Sequence, residues 1–397
     1  MEGGALLVSG SRIAAVGRAR ELAGRWPEAE RIDLDGCALL PALVNAHCHL
    51  ELSALGDPPR ETGFVPWLLE VIRRKRAASG QDWERSLAEG VRECAETGQG
   101  TVADILSIRE GAAYPSDGPD VLAFAEVIAP RPSRARGVVK GAVAARTRGG
   151  VRLAGLSPHS PYTACAEAYL ACAREAEVRG WRLVTHVAET AGEVSFCLDE
   201  EEDLTPLLYS PLSMGPPPRP GAHPVKWLDR LGLLGPRTVL VHAVHLGPSE
   251  VATVGRSGAA VVLCPRSNRR FGSFRAPGRA LLEAGVPVGL GTDSRLSAGD
   301  LDLRRDAAAA VEDYGWSPAE ALWAATRGSA RVLGLADRGA LVAGARADIL
   351  AVRVGAGLDP WEQVLAGEAV EALWIRGERW ESRAPWPDKA GARPVRE

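Results

Sequence analysis

Eight short apolar segments rich in β-branched residues recur along the chain, and segments with helical periodicity lie between them. Near-continuous apolar strands that alternate with helices are typical of a parallel sheet covered on both faces. Eight such units over about 250 residues are what a closed (β/α)8 barrel requires. The sequence therefore predicts an α/β fold, a (β/α)8 TIM-type barrel, with the strands ALVNAHCHL (42–50), GTVADIL (100–106), DVLAFAEVI (120–128), VRLAGLSPH (151–159), WRLVTHVAE (181–189), TVLVHAVHL (238–246), AAVVLCPRSN (259–268) and VPVGLGTDS (286–294).

The two ends of the chain do not follow the barrel pattern. Short strand-like segments with glycine turns occur at both ends. We therefore expect a small β-sandwich domain formed by both termini, residues 1–41 and 338–383, beside a barrel of residues 42–337. Residues 198–225 are acidic and then proline-rich, a composition that favours neither a helix nor a strand. This insertion is either a lid over the site or a solvated surface segment.

The composition narrows the kinds of partner. The 47 Lys and Arg residues nearly balance the 50 Asp and Glu residues, and no basic tract indicates a nucleic-acid or membrane surface. The seven cysteines are scattered without a CxxC pair, which argues against a disulfide framework and a cysteine zinc site. We see neither a signal peptide nor a segment of membrane-spanning length. We therefore expect a cytoplasmic protein that acts on a small molecule.

Histidines concentrate where the predicted strands end. In a barrel, the carboxyl ends of all strands meet on one face, so these residues converge although they are distant in sequence. Side chains alternate along a strand, so His47 and His49 point the same way and are spaced to chelate an ion. Six of the seven histidines share this placement, namely His47, His49, His159, His186, His242 and His245.

Imidazole and carboxylate groups together suit a divalent ion of intermediate softness. Three nitrogen ligands and one oxygen ligand would leave one position for water, and Zn²⁺ is the predicted ion, with Fe²⁺ or another divalent metal as alternatives. Glu189 is placed to move protons, and His242 to orient or deprotonate the attacking water. The predicted metal ligands are His47, His49, His186 and Asp293.

Several motifs occur in an order that resembles the amidohydrolase superfamily. They are LVNAHCHLELS, SPHSPYT, THVAET, LVHAVHL, CPRSN and GTDS. The resemblance is to the branch that contains cytosine, guanine, triazine and adenosine-type deaminases. With the flanking segments GSRIAAVG and GALVAGARADILAV, it covers nearly the whole chain.

This resemblance implies a metal-dependent aminohydrolase with one ion on the four ligands named above. It also implies roles for individual residues. Glu189 would be the proton shuttle, His242 and Asp293 would activate the water, and His159 would contact the substrate. No lysine ends the fourth predicted strand, so the carbamylated lysine of the binuclear branches is absent. Barrels of this superfamily often pair, which leaves a homodimer as an open alternative.

The segments HLELSALG and GFVPWLLEVIRRKR resemble those of aminodeoxyfutalosine deaminases, which act in the futalosine route to menaquinone. This implies conversion of 6-amino-6-deoxyfutalosine to futalosine and ammonia. Because that substrate carries a benzoate, we expect a cation among Arg73, Arg74 and Arg76, with Arg74 as the substrate-binding residue. The open alternatives are a methylthioadenosine/S-adenosylhomocysteine deaminase, a deaminase of another amino-heterocycle (guanine, cytosine or triazine type), and a barrel that only binds.

Overall fold

A computed structural model describes residues 3–60, 63–108, 113–148, 150–200, 204–212, 215–272, 274–355, 357, 359–367 and 369–382. Within these residues the chain forms fourteen β-strands: β1 (Gly4–Ser9), β2 (Arg12–Arg18), β3 (Cys37–Pro41), β4 (Leu43–Cys48), β5 (Gln99–Leu106), β6 (Asp120–Val127), β7 (Leu153–Pro158), β8 (Arg182–Val187), β9 (Thr238–His242), β10 (Ala260–Leu263), β11 (Val288–Leu290), β12 (Ile349–Arg353), β13 (Val370–Ile375) and β14 (Glu378–Arg379).

The eight strands from β4 to β11 lie side by side in chain order and pair in parallel. Strands β4, β5, β9, β10 and β11 are buried along their whole length. Both of their faces are buried because helices cover the outer face while side chains such as Phe124 and Val241 fill the interior. The predicted (β/α)8 barrel is confirmed, since each predicted strand overlaps an observed one.

The barrel closes between its first and last strands. The main-chain N–H of His49 donates to the carbonyl oxygen of Asp293 at 3.0 Å, and the N–H of Asp293 donates to that of His47 at 3.2 Å. Gly291 permits this approach, because a Cβ there would lie 2.7 Å from the carbonyl oxygen of His47. The closure therefore brings one end of β4 against the residues that follow β11.

Helices cover the outside of the barrel, as α3 does with Leu87, Val91 and Cys94 after a capping box at Ser79. The described helices are α1 (Ala19–Arg25), α2 (Phe64–Ala77), α3 (Gly80–Glu96), α4 (Ala135–Arg148), α5 (Ala166–Arg179), α6 (Ala191–Leu198), α7 (Ser210–Leu212), α8 (Pro224–Arg230), α9 (Pro248–Ser257), α10 (Pro265–Phe271), α11 (Gly278–Glu283), α12 (Arg295–Ala298), α13 (Leu303–Tyr314), α14 (Pro318–Trp323), α15 (Ser329–Val332) and α16 (Pro360–Leu365). Short 3₁₀ turns form at Leu50–Leu52 and Pro132–Arg134, and π-helical turns at Thr205–Tyr209 and Ala324–Gly328.

Two connections differ from the predicted alternation. Between β5 and β6, the described residues 107–108 and 113–119 contain no helix, because Pro115 and Pro119 disfavour one. The predicted strand 259–268 ends at Leu263, since Pro265 occupies the first turn of α10. Among the described helices, none is both long and apolar enough to cross a membrane.

Both ends of the chain build two antiparallel sheets. Strands β1 and β2 pair with each other, and β3 pairs with β12 in a sheet of order β14-β13-β12-β3. The two sheets share an apolar core that contains Ile13, Ile349 and Trp374. The expected β-sandwich formed by both termini is thus confirmed, while the domain limits stay predictions and residue 383 lies outside the described residues.

The insertion 198–225 is partly helical, contrary to the expectation from its composition. The turn Thr205–Tyr209 continues into α7, and α8 begins at Pro224. Apolar residues within this acidic and proline-rich segment are spaced so that one of its faces is buried, which the composition did not indicate. That face forms a cluster of Leu204, Leu208 and Tyr209 with Tyr162 and Phe196. Whether the segment moves as a lid stays a prediction.

The barrel closure predicts a specific sensitivity at Gly291. The substitution Gly291→Ala should lower the free energy of unfolding by about 1–3 kcal/mol, because the new methyl group meets the backbone of His47. Chemical denaturation measures this change. Gly24→Ala is the control, since a Cβ there meets nothing within 4 Å and should stabilise exposed α1 by about 0.5–1 kcal/mol. Equal stability of the Gly291 variant and the unsubstituted protein would contradict the closure argument.

Candidate metal centre and active site

The four predicted ligand side chains converge at the carboxyl ends of the barrel strands. The ring centroids of His47 and His49, from the end of β4, lie 5.0 Å apart, and that of His186 from β8 lies 5.0 Å from His47. Asp293 Oδ1 lies 3.6 Å from His47 Nε2 and 3.4 Å from His49 Nε2. The ligand atoms of His47, His49 and Asp293 lie within 4.8 Å of one another.

The chemistry of this donor set fits a divalent ion. Both ring nitrogens of His47 are buried, and within the described residues neither has a hydrogen-bond partner. Burial lowers the pKa of His47 and lowers that of His49 to about 3, so both rings are neutral and keep a lone pair for a metal. A cation would satisfy the His47 nitrogen that carries the lone pair.

The orientation of His186 is set by a main-chain contact. Its Nδ1 lies 2.8 Å from the carbonyl oxygen of His159, which can only accept, so Nδ1 carries the proton. Nε2 is therefore left with a lone pair for the ion. A metal-ligating histidine is commonly held in this way through its other ring nitrogen.

Asp293 is held by two serine hydroxyl groups that the sequence interpretation missed. Ser267 Oγ and Ser297 Oγ each donate to Asp293 Oδ2 at 2.7 Å, which leaves Oδ1 facing the histidines. Burial alone would raise the pKa of Asp293, but the adjacent imidazole rings, that of His47 first, outweigh it and hold this pKa well below its usual range. The carboxylate is thus ionised and oriented.

Glu189 and His242 form a second pair beside the ligands. His242 Nε2 lies 3.6 Å from Glu189 Oε1, and His242 Nδ1 lies 2.8 Å from Asn268 Oδ1. The amide oxygen of Asn268 accepts a hydrogen bond from Nδ1–H, so Nε2 keeps a lone pair that can accept a proton. Burial, helped by the negative charge of Asp293, raises the pKa of Glu189 well above its usual range. Glu189 is therefore suited to carry a proton at neutral pH.

The backbone at these strand ends is unusual. Four residues without the freedom of glycine have a positive φ in the left-handed region, a conformation that costs free energy and is concentrated at functional sites. They follow or end β8, β9 and β11, where the site side chains turn inward. The four residues are Ala188 (52°), His242 (72°), Ala243 (50°) and Asp293 (57°).

His159, the predicted substrate-contacting residue, lies next to the centre. Its ring centroid is 4.8 Å from that of His186, and its Nδ1 contacts the hydroxyl groups of Ser160 and Thr163 at 3.1 Å and 2.9 Å. His245 lies beyond the end of β9, and its ring contacts Phe274 instead.

The structure does not bring Arg74 together with this group. Its guanidinium donates to the main-chain oxygens of Leu55 and Asp57 at 3.1 Å and 2.6 Å, and to Glu70 at 2.8 Å. Arg73 also pairs with Glu70. Within the described residues Arg74 makes no hydrogen bond or ion pair with the metal-site side chains. Its contacts brace the loop before α2, so a substrate role for Arg74 has no support from them.

Comparisons with known proteins agree with this geometry. The amidohydrolase family model matches residues 38–379, and a bacterial imidazolonepropionase-like composite domain model matches residues 4–29. The aminodeoxyfutalosine deaminase of Deinococcus radiodurans is 34% identical over 350 residues, which cover 83% of this chain and 81% of that protein. The 5-methylthioadenosine/S-adenosylhomocysteine deaminase of Nitratidesulfovibrio vulgaris is 30% identical over 370 residues, 89% of this chain and 79% of that protein.

One similar solved structure contains a bound metal ion. The adenosine deaminase of Xanthomonas campestris with bound zinc superposes with a TM-score of 0.80 at 26% identity, covering 96% of this chain and 88% of that one. The fold and the donor set define a metal-dependent hydrolase of C–N bonds. The chain belongs to the amidohydrolase family, and the predicted deaminase activity with a divalent metal is confirmed at this level.

The serine contacts to Asp293 predict an effect on metal affinity. Ser267→Ala and Ser297→Ala should each weaken Zn²⁺ binding by about 10- to 100-fold, because each removes a hydrogen bond that orients a predicted ligand. Competition with a chromophoric chelator measures the affinity, and circular dichroism checks the fold. Ser9→Ala, at an exposed end of β1, is the matched control. Unchanged affinity in both variants would refute this role.

Proposed function

We propose that the chain hydrolytically deaminates an aminopurine nucleoside, with 6-amino-6-deoxyfutalosine as the specific substrate and futalosine and ammonia as products. The observation that carries the proposal is the buried Glu189 carboxyl group facing His242 beside Asp293. The relative named aminodeoxyfutalosine deaminase supports the choice of substrate. The reaction would belong to the futalosine route to menaquinone.

His47, His49, His186 and Asp293 would hold the ion, which we propose to be Zn²⁺. When bound, such an ion lowers the pKa of a water molecule, so that the water can lose a proton and attack at neutral pH. The chain's own residues then control where protons go. His242 Nε2 is free to accept a proton of the attacking water, because Asn268 holds the proton on Nδ1.

Glu189 would act on the purine itself. Because burial favours its protonated form, it can donate a proton to N1, which makes C6 more electrophilic. The water oxygen, after losing one proton to His242, then adds to C6, and the ionised Glu189 carries the remaining hydroxyl proton to the amino group. His242 would return its proton to Glu189 at the end of the cycle. The C6–N bond breaks, ammonia leaves, and the inosine-type ring remains. His159, anchored through Nδ1 by Ser160 and Thr163, would present its other nitrogen to the substrate.

This assignment predicts the behaviour of Glu189→Gln. Its kcat should fall by about 100- to 10,000-fold, because an amide cannot supply the proton that Glu189 donates. Metal analysis should show an unchanged metal content, since Glu189 is not a predicted ligand. Glu167→Gln, at an exposed position of α5, is the control. Near-normal turnover by the Glu189 variant would overturn the assignment.

A second candidate function is deamination of methylthioadenosine or S-adenosylhomocysteine, and the relative from Nitratidesulfovibrio vulgaris with that name supports it. The ultraviolet change from adenine to hypoxanthine separates the two. We expect a fast change with aminodeoxyfutalosine and a slow one with methylthioadenosine, S-adenosylhomocysteine and adenosine. Turnover of only the thioethers would favour the second function. No change with any of the four would refute a purine nucleoside substrate and leave guanine, cytosine and triazine types for testing.

A further inference from the structure

A cavity of about 1040 Å³ lies between α2 and α4. Part of its wall comes from residues that directly follow or end β5 and β6, namely Ser107, Ile108, Glu126 and Ile128. These strands end on the same face of the barrel as β4 and β8. This part of the cavity wall therefore lies on the face that carries the metal centre.

Glu51 links this cavity to the metal centre. It is two residues beyond His49 and fully buried, and it accepts a hydrogen bond from Lys75 Nζ at 2.6 Å and bonds from Ser107. Lys75 and Ser107 both line the cavity. One buried carboxylate thus connects the segment that carries a metal ligand with the cavity wall.

Glu126 lies close to both regions. Burial alone would lower the pKa of Lys75, but the carboxylates of Glu51 and Glu126 outweigh it and raise this pKa. The main-chain N–H of His159 donates to the carbonyl oxygen of Val127 at 3.1 Å, and Val127 lies between the lining residues Glu126 and Ile128. Because this bond joins His159 to the strand end that lines the cavity, the cavity and the substrate-contacting side of the centre are neighbours.

The cavity has more positive than negative charge. Glu51 neutralises Lys75, and the Arg146 guanidinium is occupied by the carbonyl oxygens of Leu106 and Ala142. Arg76 from α2 and Arg134 before α4 also line the cavity, and within the described residues neither guanidinium group makes a hydrogen bond or ion pair. These two arginines therefore supply the uncommitted charge, and Glu126 is the one carboxylate among the lining residues that the structure describes.

The remaining wall is largely apolar, with Ile72, Trp83, Ile108 and Val138 among the lining residues. An apolar pocket with a few placed charges selects a ligand that has an apolar body and an opposite charge. Guanidinium groups bind carboxylates in a bidentate way. The lining thus fits an apolar arm that ends in a carboxylate.

We infer that this cavity is the subsite for a carboxylate-bearing apolar arm of the nucleoside, and that Arg76 and Arg134, from opposite walls, bind the carboxylate. The inference rests on the proposed function, because it assigns the part of the substrate that extends away from C6. Arg76 thus takes the substrate-binding role that the sequence had led us to expect of Arg74 on the same helix, α2. Neutral nucleosides gain nothing from this subsite, so it acts as a specificity determinant.

Kinetics of Arg76→Gln, Arg134→Gln and the double variant test the inference. With aminodeoxyfutalosine, kcat/KM should fall by about 10- to 100-fold per arginine, mostly through KM, because one charged hydrogen bond is lost. With methylthioadenosine, kcat/KM should stay unchanged. Arg134→Lys should recover part of the loss, and Arg136→Gln, exposed and outside the cavity lining, is the control.

Two outcomes separate this inference from the proposed function. If the unsubstituted enzyme deaminates both nucleosides and the variants lose neither or lose both equally, the subsite is wrong and the function stands. If it deaminates neither, the function fails, and calorimetric titration of the purified protein with futalosine and inosine decides the subsite. Tighter binding of futalosine that is lost in the double variant supports it, and equal binding of the two overturns it.

Discussion

The closure of the barrel is the constraint on which the candidate site depends. Two main-chain hydrogen bonds join His47 and His49 on one side to Asp293 on the other. Because both partners of these bonds are also predicted ligands, the same contact that completes the sheet assembles three donors of the metal centre. Gly291 serves both purposes, since a larger residue would separate the strands and widen the ligand set.

Contacts behind the ligands decide what the site can do. The carbonyl oxygen of His159 fixes the tautomer of His186, and Asn268 fixes that of His242. One ring is thereby left to bind an ion and the other to accept a proton. His186 and His242 therefore take different roles because their hydrogen-bond partners differ. The left-handed backbone at His242 and Asp293 is the local cost of aiming these side chains inward.

The fold was predictable because buried parallel strands leave long apolar runs, and because alternation along β4 places His47 and His49 on one side. The roles of Ser267, Ser297 and Asn268 were not predicted from the sequence. Polar residues after a strand have no periodicity, and only barrel closure brings these side chains next to their partners. The structure does not support the expected substrate role of Arg74. Helical spacing in the sequence does not show which neighbours a side chain contacts. Its partners on the preceding loop became visible only in three dimensions.

In the proposed function, chemistry and selectivity are carried by different parts of the same face. The metal centre draws its side chains from the ends of β4, β8, β9 and β11, so its geometry is tied to the stability of the whole barrel. The cavity draws on α2, α4 and the ends of β5 and β6, where Arg76 and Arg134 are exposed and contribute little to packing. Substitutions there can change which arm of a nucleoside is accepted without disturbing the ligands.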